Sequence, residues 1–402
     1  MPTQLNYGFP QDLAPPDFRL LKTQETHSVL FQTSPYGNLD AIVEHDGRAL
    51  YFYLSAGQRP NNRFGMRACW VRNLELGPHV INQEDMEAGI APMLPRYDCA
   101  DPQLTRLPTA QSLEVVWLEE GNGAALFELP VADSDLQQPQ LIAVIPPWSG
   151  LDGFHGYAAN CINQSSVCWP MPDNPLLMQR IDSAREFWGS WSNSTPDADA
   201  DGATVPPSPS NPTSPFAIQQ PRVLANYRKR FGIEPGEEKY FAAGGDQFPL
   251  RGLLHHRTDR LEVIATAGMS VCPQPAVEMF VDDPINFRRI ELALVLPRQK
   301  DLDALTPVME QLSGLSGYPW KELTWFRDGH TCGFKFGEYS ALLLLDDANG
   351  SRMAGVDSET LPEFRGDPVN LLWMLPMTDS QLTQLKEGEL TVDDLVDQWV
   401  AI

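Results

Sequence analysis

Two cysteines are the residues of this sequence best placed for nucleophilic chemistry. Cys272 ends the segment Gly268-Met269-Ser270-Val271-Cys272, and Cys332 follows His330-Thr331. A cysteine–histidine pair forms a nucleophile when the imidazole takes the thiol proton. A free cysteine is more commonly a small buried apolar residue, however. The sequence also lacks the serine pattern G-x-S-x-G. It therefore predicts no catalytic residue.

One segment has the spacing of a metal-binding loop. Residues 197–202 read DADADG, which is the opening of a calcium loop. A complete EF-hand loop needs a glutamate at position 12 and a helix on each side. Counted from Asp197, that position is Ser208, within a proline-rich run. The phosphate-binding patterns GxxxxGK[ST] and GxGxxG are absent as well. The sequence therefore predicts no metal and no cofactor.

The charge balance limits the class of partner. The chain has 29 Lys and Arg against 53 Asp and Glu, which gives a net charge of −24. Nucleic-acid binding relies on basic side chains at phosphates, and anionic membranes attract the same residues. The composition therefore argues against nucleic acid and membrane as partners. It favours a positively charged protein partner, or solubility alone.

The sequence predicts a cytoplasmic protein. No run approaches the ~18–20 apolar residues of a membrane span, and the N-terminus lacks the basic start and apolar core of a secretory signal. The six cysteines form no CxxC pair. That number in 402 residues is typical of reduced intracellular proteins rather than of a disulfide scaffold.

A Pro-, Ser- and Asp-rich stretch divides the chain. Residues 192–221 have few large apolar side chains, so ordering them would gain little burial, and we expect a flexible linker. The predicted domains are therefore 1–191 and 222–402. In each, strands and helices alternate irregularly, which predicts two mixed domains of the α+β class.

Local patterns predict several elements that would position these residues. The first part has a hairpin around Gly121-Asn122-Gly123 and a helix from about Pro175 that ends at Gly189. In the second part we expect strands at Ala276–Val281, Arg289–Leu296, Ser340–Leu345 and Val369–Leu375, and a helix at Leu302–Gly314. Capping boxes at Thr378 and Thr391 predict two closing helices.

Tryptophan is frequent in this chain, with ten residues. Large aromatic side chains contribute to cores and also to interface hot spots. For most of the ten the core is the better interpretation. Trp148, in the turn Pro146-Pro147-Trp148-Ser149-Gly150, is the candidate for partner binding.

The second half contains an ordered series of short motifs. They are Leu261–Ser270 (LEVIATAGMS), Arg288–Leu292 (RRIEL) before Val295-Leu296-Pro297, Gly329-His330-Thr331, and Leu371–Thr378 (LLWMLPMT). This order resembles the suppressor of fused (SUFU) domain family over about residues 222–402. The first part is similar, less specifically, to N-terminal segments of bacterial members through Trp70–Leu74.

The resemblance implies a non-enzymatic α+β protein that binds another protein. The bacterial members of the family imply a cytoplasmic immunity protein that neutralises a toxin effector, and the negative charge would suit a basic toxin encoded nearby. The animal members imply instead a signalling scaffold that sequesters a transcription factor. A hydrolase that uses Cys272, Cys332 or a carboxylate is the third alternative. His330 lies in the family motif and is interpreted as structural.

Overall fold

The computed structural model describes residues 27–45, 49–56, 66–73, 107–132, 136–145, 157–158, 175–191, 215–234, 239–242, 252–277, 280–281, 283–300 and 303–401. Proximity of the Cα atoms divides the chain into two units, Met1–Glu186 and Phe187–Ile402. The predicted linker and domain boundary stay predictions, because residues 192–214 lie outside the described residues.

The first unit contains two four-stranded antiparallel sheets. The first sheet has the order β1 (His27–Thr33), β2 (Asp40–His45), β3 (Ala49–Ser55) and β4 (Met66–Asn73). The second has the order β5 (Leu113–Trp117), β6 (Ala124–Glu128), β7 (Gln140–Ile145) and β8 (Tyr157–Ala158). A 3₁₀ turn at Ala110–Ser112 precedes β5.

The predicted hairpin is confirmed, and its turn contacts the other sheet. Leu113 pairs with Glu128 and Trp117 with Ala124. Gly121 has a φ of +69°, and a Cβ there would lie 2.2 Å from Cδ2 of Tyr36. Only glycine combines that backbone conformation with the close approach of the ring. The hydroxyl of Tyr36 donates to the carbonyl of Glu119, so the two turns are held together.

The second unit is built on one eight-stranded sheet. Its strands are β9 (Lys239–Ala242), β10 (Gly252–Arg257), β11 (Leu261–Ala267), β12 (Arg289–Pro297), β13 (Thr331–Phe336), β14 (Tyr339–Leu345), β15 (Leu361–Phe364) and β16 (Asp367–Met377). Their order is β13-β14-β16-β12-β11-β10-β9, with β15 also paired to β16. The pair β12–β16 is parallel, and the other neighbouring strands are antiparallel.

The centre of this sheet is buried on both faces. All residues of β11 and all but the last of β12 are buried. Strands in that position carry nearly continuous apolar sequence, because neither face meets water. This is why RIELALVLP and NLLWMLPM lie at the middle of the sheet.

The helices are α1 (Pro175–Trp191), α2 (Pro215–Phe231), α3 (Thr306–Glu322), α4 (Asp347–Ala354), α5 (Asp379–Glu387) and α6 (Val392–Val400). Short 3₁₀ turns lie at Met269–Val271, Pro284–Asn286 and Asp303–Leu305. The mixture of helices with largely antiparallel sheets confirms the α+β class. Both predicted capping boxes are confirmed, at Thr378 with Gln381 and at Thr391 with Asp394.

Four local predictions differ from the structure. Residues 215–221, which composition alone assigns to the linker, form the first half of α2. α1 continues through Gly189 to Trp191. α3 begins after Leu302 and extends eight residues beyond Gly314. The segment 276–281 is no strand in its described residues, which form a turn. Tertiary packing outweighs local propensity at each of these places.

Candidate partner-binding surface

Four large apolar side chains of the second unit are exposed in the connection between β11 and β12 and on α3. We call Phe280, Ile285, Phe287 and Tyr318 the aromatic patch; their exposed fractions are 47%, 48%, 40% and 38%. Three of them lie in the connection between β11 and β12, and Tyr318 lies on α3. Single exposed apolar residues are ordinary, but a group of them is typical of a contact surface.

The aromatic patch rests on a buried layer of aromatic rings. Phe280 stacks on Trp325 with ring centroids 5.7 Å apart, and Tyr318 stacks on Phe326 at 5.9 Å. Trp325 and Phe326 are only 7% and 5% exposed. Consecutive buried residues thus support two exposed rings, which fixes the relative positions of those rings. Phe280 and Tyr318 are therefore held in place by these contacts, so a partner that binds them would meet a small ordering cost for those two rings.

One buried glutamine joins the segments that carry the patch. The side-chain Oε1 of Gln274 accepts from the backbone N–H of Phe326 at 2.7 Å. Its Nε2 donates to the carbonyls of Phe287 and Phe326, both at 3.2 Å. Gln274 is 1% exposed, so no water can replace these bonds cheaply. Gln274 thus holds the β11–β12 connection against the segment before β13.

A buried ionic network holds the base of the same connection. Asp367 accepts from Arg289 Nε at 2.6 Å and from Arg288 Nη2 at 2.8 Å. Arg289 Nη1 donates to the carbonyls of Ser270 and Val271 at 3.0 and 2.7 Å. A buried charge is tolerated when its partners are complete in this way. The network ties the start of β12 to the turn that leads to Gln274.

Glu291 holds the 3₁₀ turn at Met269–Val271 in place through its carboxylate. Its carboxylate accepts from the backbone N–H groups of Gly268 and Ser270, and from the hydroxyls of Ser270 and Thr266, at 2.7–3.0 Å. Burial raises the pKa of Glu291, and these hydrogen bonds oppose the rise. Five donors converge on one carboxylate when a longer bond from Met269 N–H at 3.3 Å is included. We interpret this residue as structural.

A cavity of about 400 Å³ lies beside the aromatic patch. Phe287 and Phe326 line one part of it, and Leu361 and residues 369–372 of β16 line another. On the edge of β16 opposite β12, β15 pairs with residues 367–369 and β14 with residues 373–377, and no described strand pairs with the residues between them. We call this gap at residues 370–372 the notch.

The notch has an acidic rim, formed by Asp328 and Asp346. Asp328 Oδ1 accepts from the backbone N–H of Asp346 at 3.0 Å, so the two residues are adjacent. Within the described part of the chain, neither carboxylate has a cationic partner. Asp347 and Glu359 also line the cavity, but they pair with Arg230 and Lys229.

Arg327 is the basic residue that lines the same cavity. Its guanidinium carbon lies 5.5 Å from the centroid of the Trp325 ring, in a cation–π arrangement. Its charge is thus associated with an aromatic face, while the rim carboxylates have no such partner. The surface as a whole combines exposed apolar rings with unpaired negative charge.

The two candidate cysteines do not form an activated nucleophile. Cys272 is fully buried. Burial raises the pKa of the Cys332 thiol to about 11, so the thiol is protonated at neutral pH. A reactive cysteine instead has a lowered pKa, because the thiolate is the nucleophile.

His330 is engaged elsewhere. Its ring contacts Trp325 edge to face at 5.3 Å. Burial lowers the pKa of His330, against a hydrogen bond to the carbonyl of Trp325 that raises it. The predicted structural role, in which the histidine bonds a turn backbone, agrees with these contacts.

Some of the remaining candidate residues lie outside the described part of the chain, and others lie within it. Trp148 and the DADADG segment lie outside the described residues, so the prediction that Trp148 binds a partner stays a prediction. His255 is described, and its Nε2 lies 2.8 Å from Glu262 Oε2 within β10 and β11. In the described part of the chain, no three His, Cys, Asp or Glu side chains are placed to hold a metal ion.

The sequence patterns do not predict the aromatic patch. The segment Phe280-Val281-Asp282-Asp283-Pro284-Ile285-Asn286-Phe287 places large apolar residues among turn-forming ones. Such residues have no regular element through which to bury their side chains. That mismatch is the available signal, and the interpretation of Ala276–Val281 as a strand hides it.

Comparison with known families gives one match within the second unit. The architecture is an α+β domain with a mixed, mostly antiparallel sheet. The family model described as Suppressor of fused protein (SUFU) matches residues 247–401. Over these residues the chain is similar to the SUFU family, and the resemblance inferred from the sequence motifs is confirmed.

A search of solved structures found eight matching chains. One of them, described as "the Sufu-Fu complex crystal structure", is 10% identical, and the match covers 39% of this chain and 68% of that one with a TM-score of 0.22. A search of curated proteins found no match. Among the described residues, no helix is both long enough and apolar enough to cross a membrane.

Proposed function

We propose that this protein is a non-enzymatic regulator that binds a protein partner through the aromatic patch. The single observation that carries the proposal is the preorganised group of exposed rings, with Phe280 stacked on Trp325 and Tyr318 stacked on Phe326. Buried aromatic anchors dominate the binding energy of protein interfaces. The match to the SUFU family supports the same class, since the resemblance to that family implies a protein that binds another protein.

At a finer level, we propose a bacterial cytoplasmic immunity protein that neutralises a basic toxin effector encoded by a neighbouring gene. The net charge of −24 would steer a basic partner toward this chain and raise the association rate. The unpaired carboxylates of Asp328 and Asp346 beside the patch favour a positively charged contact region.

A signalling scaffold that sequesters a regulatory protein is the second candidate. The same patch and the same match to the SUFU family favour it, and it differs from the first in the partner alone. The hydrolase alternative receives no support from Cys332, because burial raises the pKa of its thiol to about 11.

The test is binding of the purified full chain to the products of its neighbouring genes. We expect a stoichiometric complex by light scattering after gel filtration, and rescue of growth when a toxic neighbour is co-expressed. The double variant Phe280→Ser, Ile285→Ser should weaken the complex by about 30-fold or more, as expected for interface hot spots. Raising the salt concentration should slow association, since screening reduces steering.

The matched control is Phe31→Ser in the first unit. Phe31 is 61% exposed and is not part of the patch. Phe31→Ser therefore makes the same kind of change at a different exposed apolar residue. Phe31→Ser should leave the affinity within about twofold. Neighbouring products that are harmless and unbound would reject the immunity proposal. A bound, non-toxic regulator would select the scaffold, and a complex unaffected by Phe280→Ser, Ile285→Ser would reject the patch.

A further inference from the structure

We propose that β1 is a self-association surface, through which two copies of this chain pair their β1 strands antiparallel and join two four-stranded sheets into one. The inference goes beyond the proposed function, because it concerns the first unit and a second copy of the chain. Three features of β1 define this occupant: an open edge, a row of apolar side chains that ends on it, and a sequence without charged residues.

The outer edge of β1 is open in the part of the chain that the structure describes. β1 pairs with β2 on one edge, and no described strand pairs with it on the other. Ser34 N–H donates to the carbonyl of Leu39, so the main chain of Ser34 faces the β2 side. The direction alternates along a strand, so the N–H and C=O of Thr33 and of Phe31 point away from β2.

This edge is accessible without any rearrangement of the fold. Phe31 is 61% exposed, which is the largest fraction among the exposed large apolar residues of the described chain. Thr33 is exposed as well. A strand that pairs here displaces water alone, and its main-chain groups replace that water as partners of Phe31 and Thr33.

A row of apolar side chains crosses the first sheet and ends at Phe31. Phe31 pairs with Ile42 of β2, and Ile42 pairs with Tyr53 of β3. Tyr53 is 3% exposed, Ile42 is partly buried and Phe31 is largely exposed, so burial decreases toward the edge. A second copy centred on Phe31 would continue the row with its own ring, and cross-strand aromatic pairs stabilise antiparallel strands.

The strand geometry fits a two-fold axis beside Phe31. The two Phe31 residues would exchange both of their N–H···O bonds, and Thr33 of each copy would lie opposite Val29 of the other. A β-bulge between Ser28 and Leu30 limits regular pairing toward the beginning of β1. The paired segment is therefore short, and we expect a weak dimer with a dissociation constant of roughly 10–100 μM.

The charge of β1 favours a second copy over a basic partner. The strand reads HSVLFQT and contains no Asp, Glu, Lys or Arg, although the chain has a net charge of −24. A basic segment would find no opposite charge on this strand, whereas two neutral strands pair without like charges opposite each other. Edge strands are commonly protected from pairing by lysine or proline, and β1 has neither.

The experiment is sedimentation velocity of the full chain from about 1 μM to about 300 μM. We expect a monomer at the lowest concentration and a dimer at the highest. Added salt should strengthen the dimer, because it screens the repulsion between two chains that each carry −24. Salt should slow association with a basic partner, so the two kinds of association respond in opposite directions.

Two variants test the edge itself. Phe31→Lys places two ammonium groups opposite each other and should weaken the dimer at least about tenfold. Thr33→Pro removes an N–H that points outward, keeps the ladder with β2, and should weaken the dimer about fivefold or more.

The matched control is Ile218→Lys in α2. Ile218 is 49% exposed, and its replacement by lysine changes the net charge by the same amount as Phe31→Lys does. The dimer should then keep its affinity within about twofold. Circular dichroism of all three variants should match that of the wild type, because each substitution is at an exposed position.

A chain that stays monomeric up to about 300 μM would overturn the inference. A dimer that Phe31→Lys and Thr33→Pro leave unchanged, or that Ile218→Lys weakens equally, would overturn it as well. These outcomes leave the proposed function untouched. Partner binding measured below about 1 μM uses the monomer, so Phe31→Ser remains a valid control there.

Discussion

Gly350 of α4 lies directly against the indole ring of Trp373 in β16. A Cβ on residue 350 would be 1.9 Å from Cγ of Trp373, a distance that no pair of non-bonded carbon atoms tolerates. The Nε1 of that indole donates to Asp347 at 2.9 Å, at the first residue of the same helix. The contact therefore fixes where α4 begins, and with it the position of Asp346 on the rim of the notch.

Replacement of Gly350 by alanine should destabilise the protein by about 2–3 kcal/mol. Trp373 is fully buried, so the added methyl group must displace the helix or the ring. Urea unfolding followed by circular dichroism measures the change. The matched control is Gly314→Ala in α3, where a Cβ meets nothing within 4 Å. That variant should raise the free energy of unfolding by about 0.5–1 kcal/mol, because alanine restricts the unfolded chain. Equal effects of the two substitutions would contradict the close contact.

Substitution of Gln274 by leucine should cost about 2–3 kcal/mol. The change keeps the size of the side chain, leaves the buried N–H of Phe326 without its partner and removes the bond to the carbonyl of Phe287. Urea unfolding reports the stability, and near-ultraviolet circular dichroism reports the ordering of the aromatic patch.

Gln311 provides the comparison for Gln274. Its side-chain amide makes the same kind of bonds, to both backbone groups of Lys335 at 2.9 Å, but in an exposed position. Water can replace those bonds, so Gln311→Leu should cost less than about 1 kcal/mol. If Gln274→Leu lowered the free energy of unfolding no more than Gln311→Leu does, Gln274 would not be the residue that holds the segments of the patch together.

Glu262 should make stability depend on pH in the acid range. Burial alone would raise the pKa of Glu262, but hydrogen bonds from Arg257 and His255 outweigh it and hold the pKa below the ordinary 4.5. The folded state therefore binds this proton less readily than the unfolded state. The resulting stability is present above about pH 4.5 and is lost as pH falls through the lowered folded pKa.

The measurement is the difference in unfolding free energy between the wild type and Glu262→Gln from about pH 3 to pH 7. We expect the wild-type advantage to shrink as the pH falls below about 4.5. Glu310→Gln, at an exposed position of α3, should show no such trend. A difference that is constant with pH would argue against the ion pairs seen in the structure.

Cys332 should resist alkylation at neutral pH. Burial raises the pKa of its thiol to about 11, and the thiolate is the reactive form. Peptide mass spectrometry after a short iodoacetamide treatment should show little labelling of Cys332 at pH 7. Labelling should increase about tenfold per pH unit toward about pH 11 and become rapid in urea. Fast labelling of the native protein at pH 7 would restore Cys332 as a candidate nucleophile.

The sequence predicts elements whose determinants are local. The hairpin at Gly121-Asn122-Gly123 and the capping boxes at Thr378 and Thr391 depend on residues only a few positions apart, and all are present. The strands around Leu292 and Leu372 are nearly continuous apolar runs, which is typical of the middle of a sheet.

The predictions that differ depend on partners distant in the chain. α2 begins inside the predicted linker because Phe216 and Gln219 are buried against other elements, and Gln219 donates to the carbonyl of Pro362. The segment around Val277 forms a turn because it packs on Trp325, almost fifty positions later. Local composition contains no information about such partners.

Charge, composition and the SUFU motifs were decided by the sequence, because each is a property of residue identity or of short-range order. The exposed rings of Phe280 and Tyr318 and the open edge at Leu371 were decided by the tertiary structure alone. The physical reason is that the exposed surface of the domain is defined only once every strand has paired with its neighbours. β14 and β15 pair with opposite ends of β16, so the edge of residues 370–372 opposite β12 has no neighbour among the described strands.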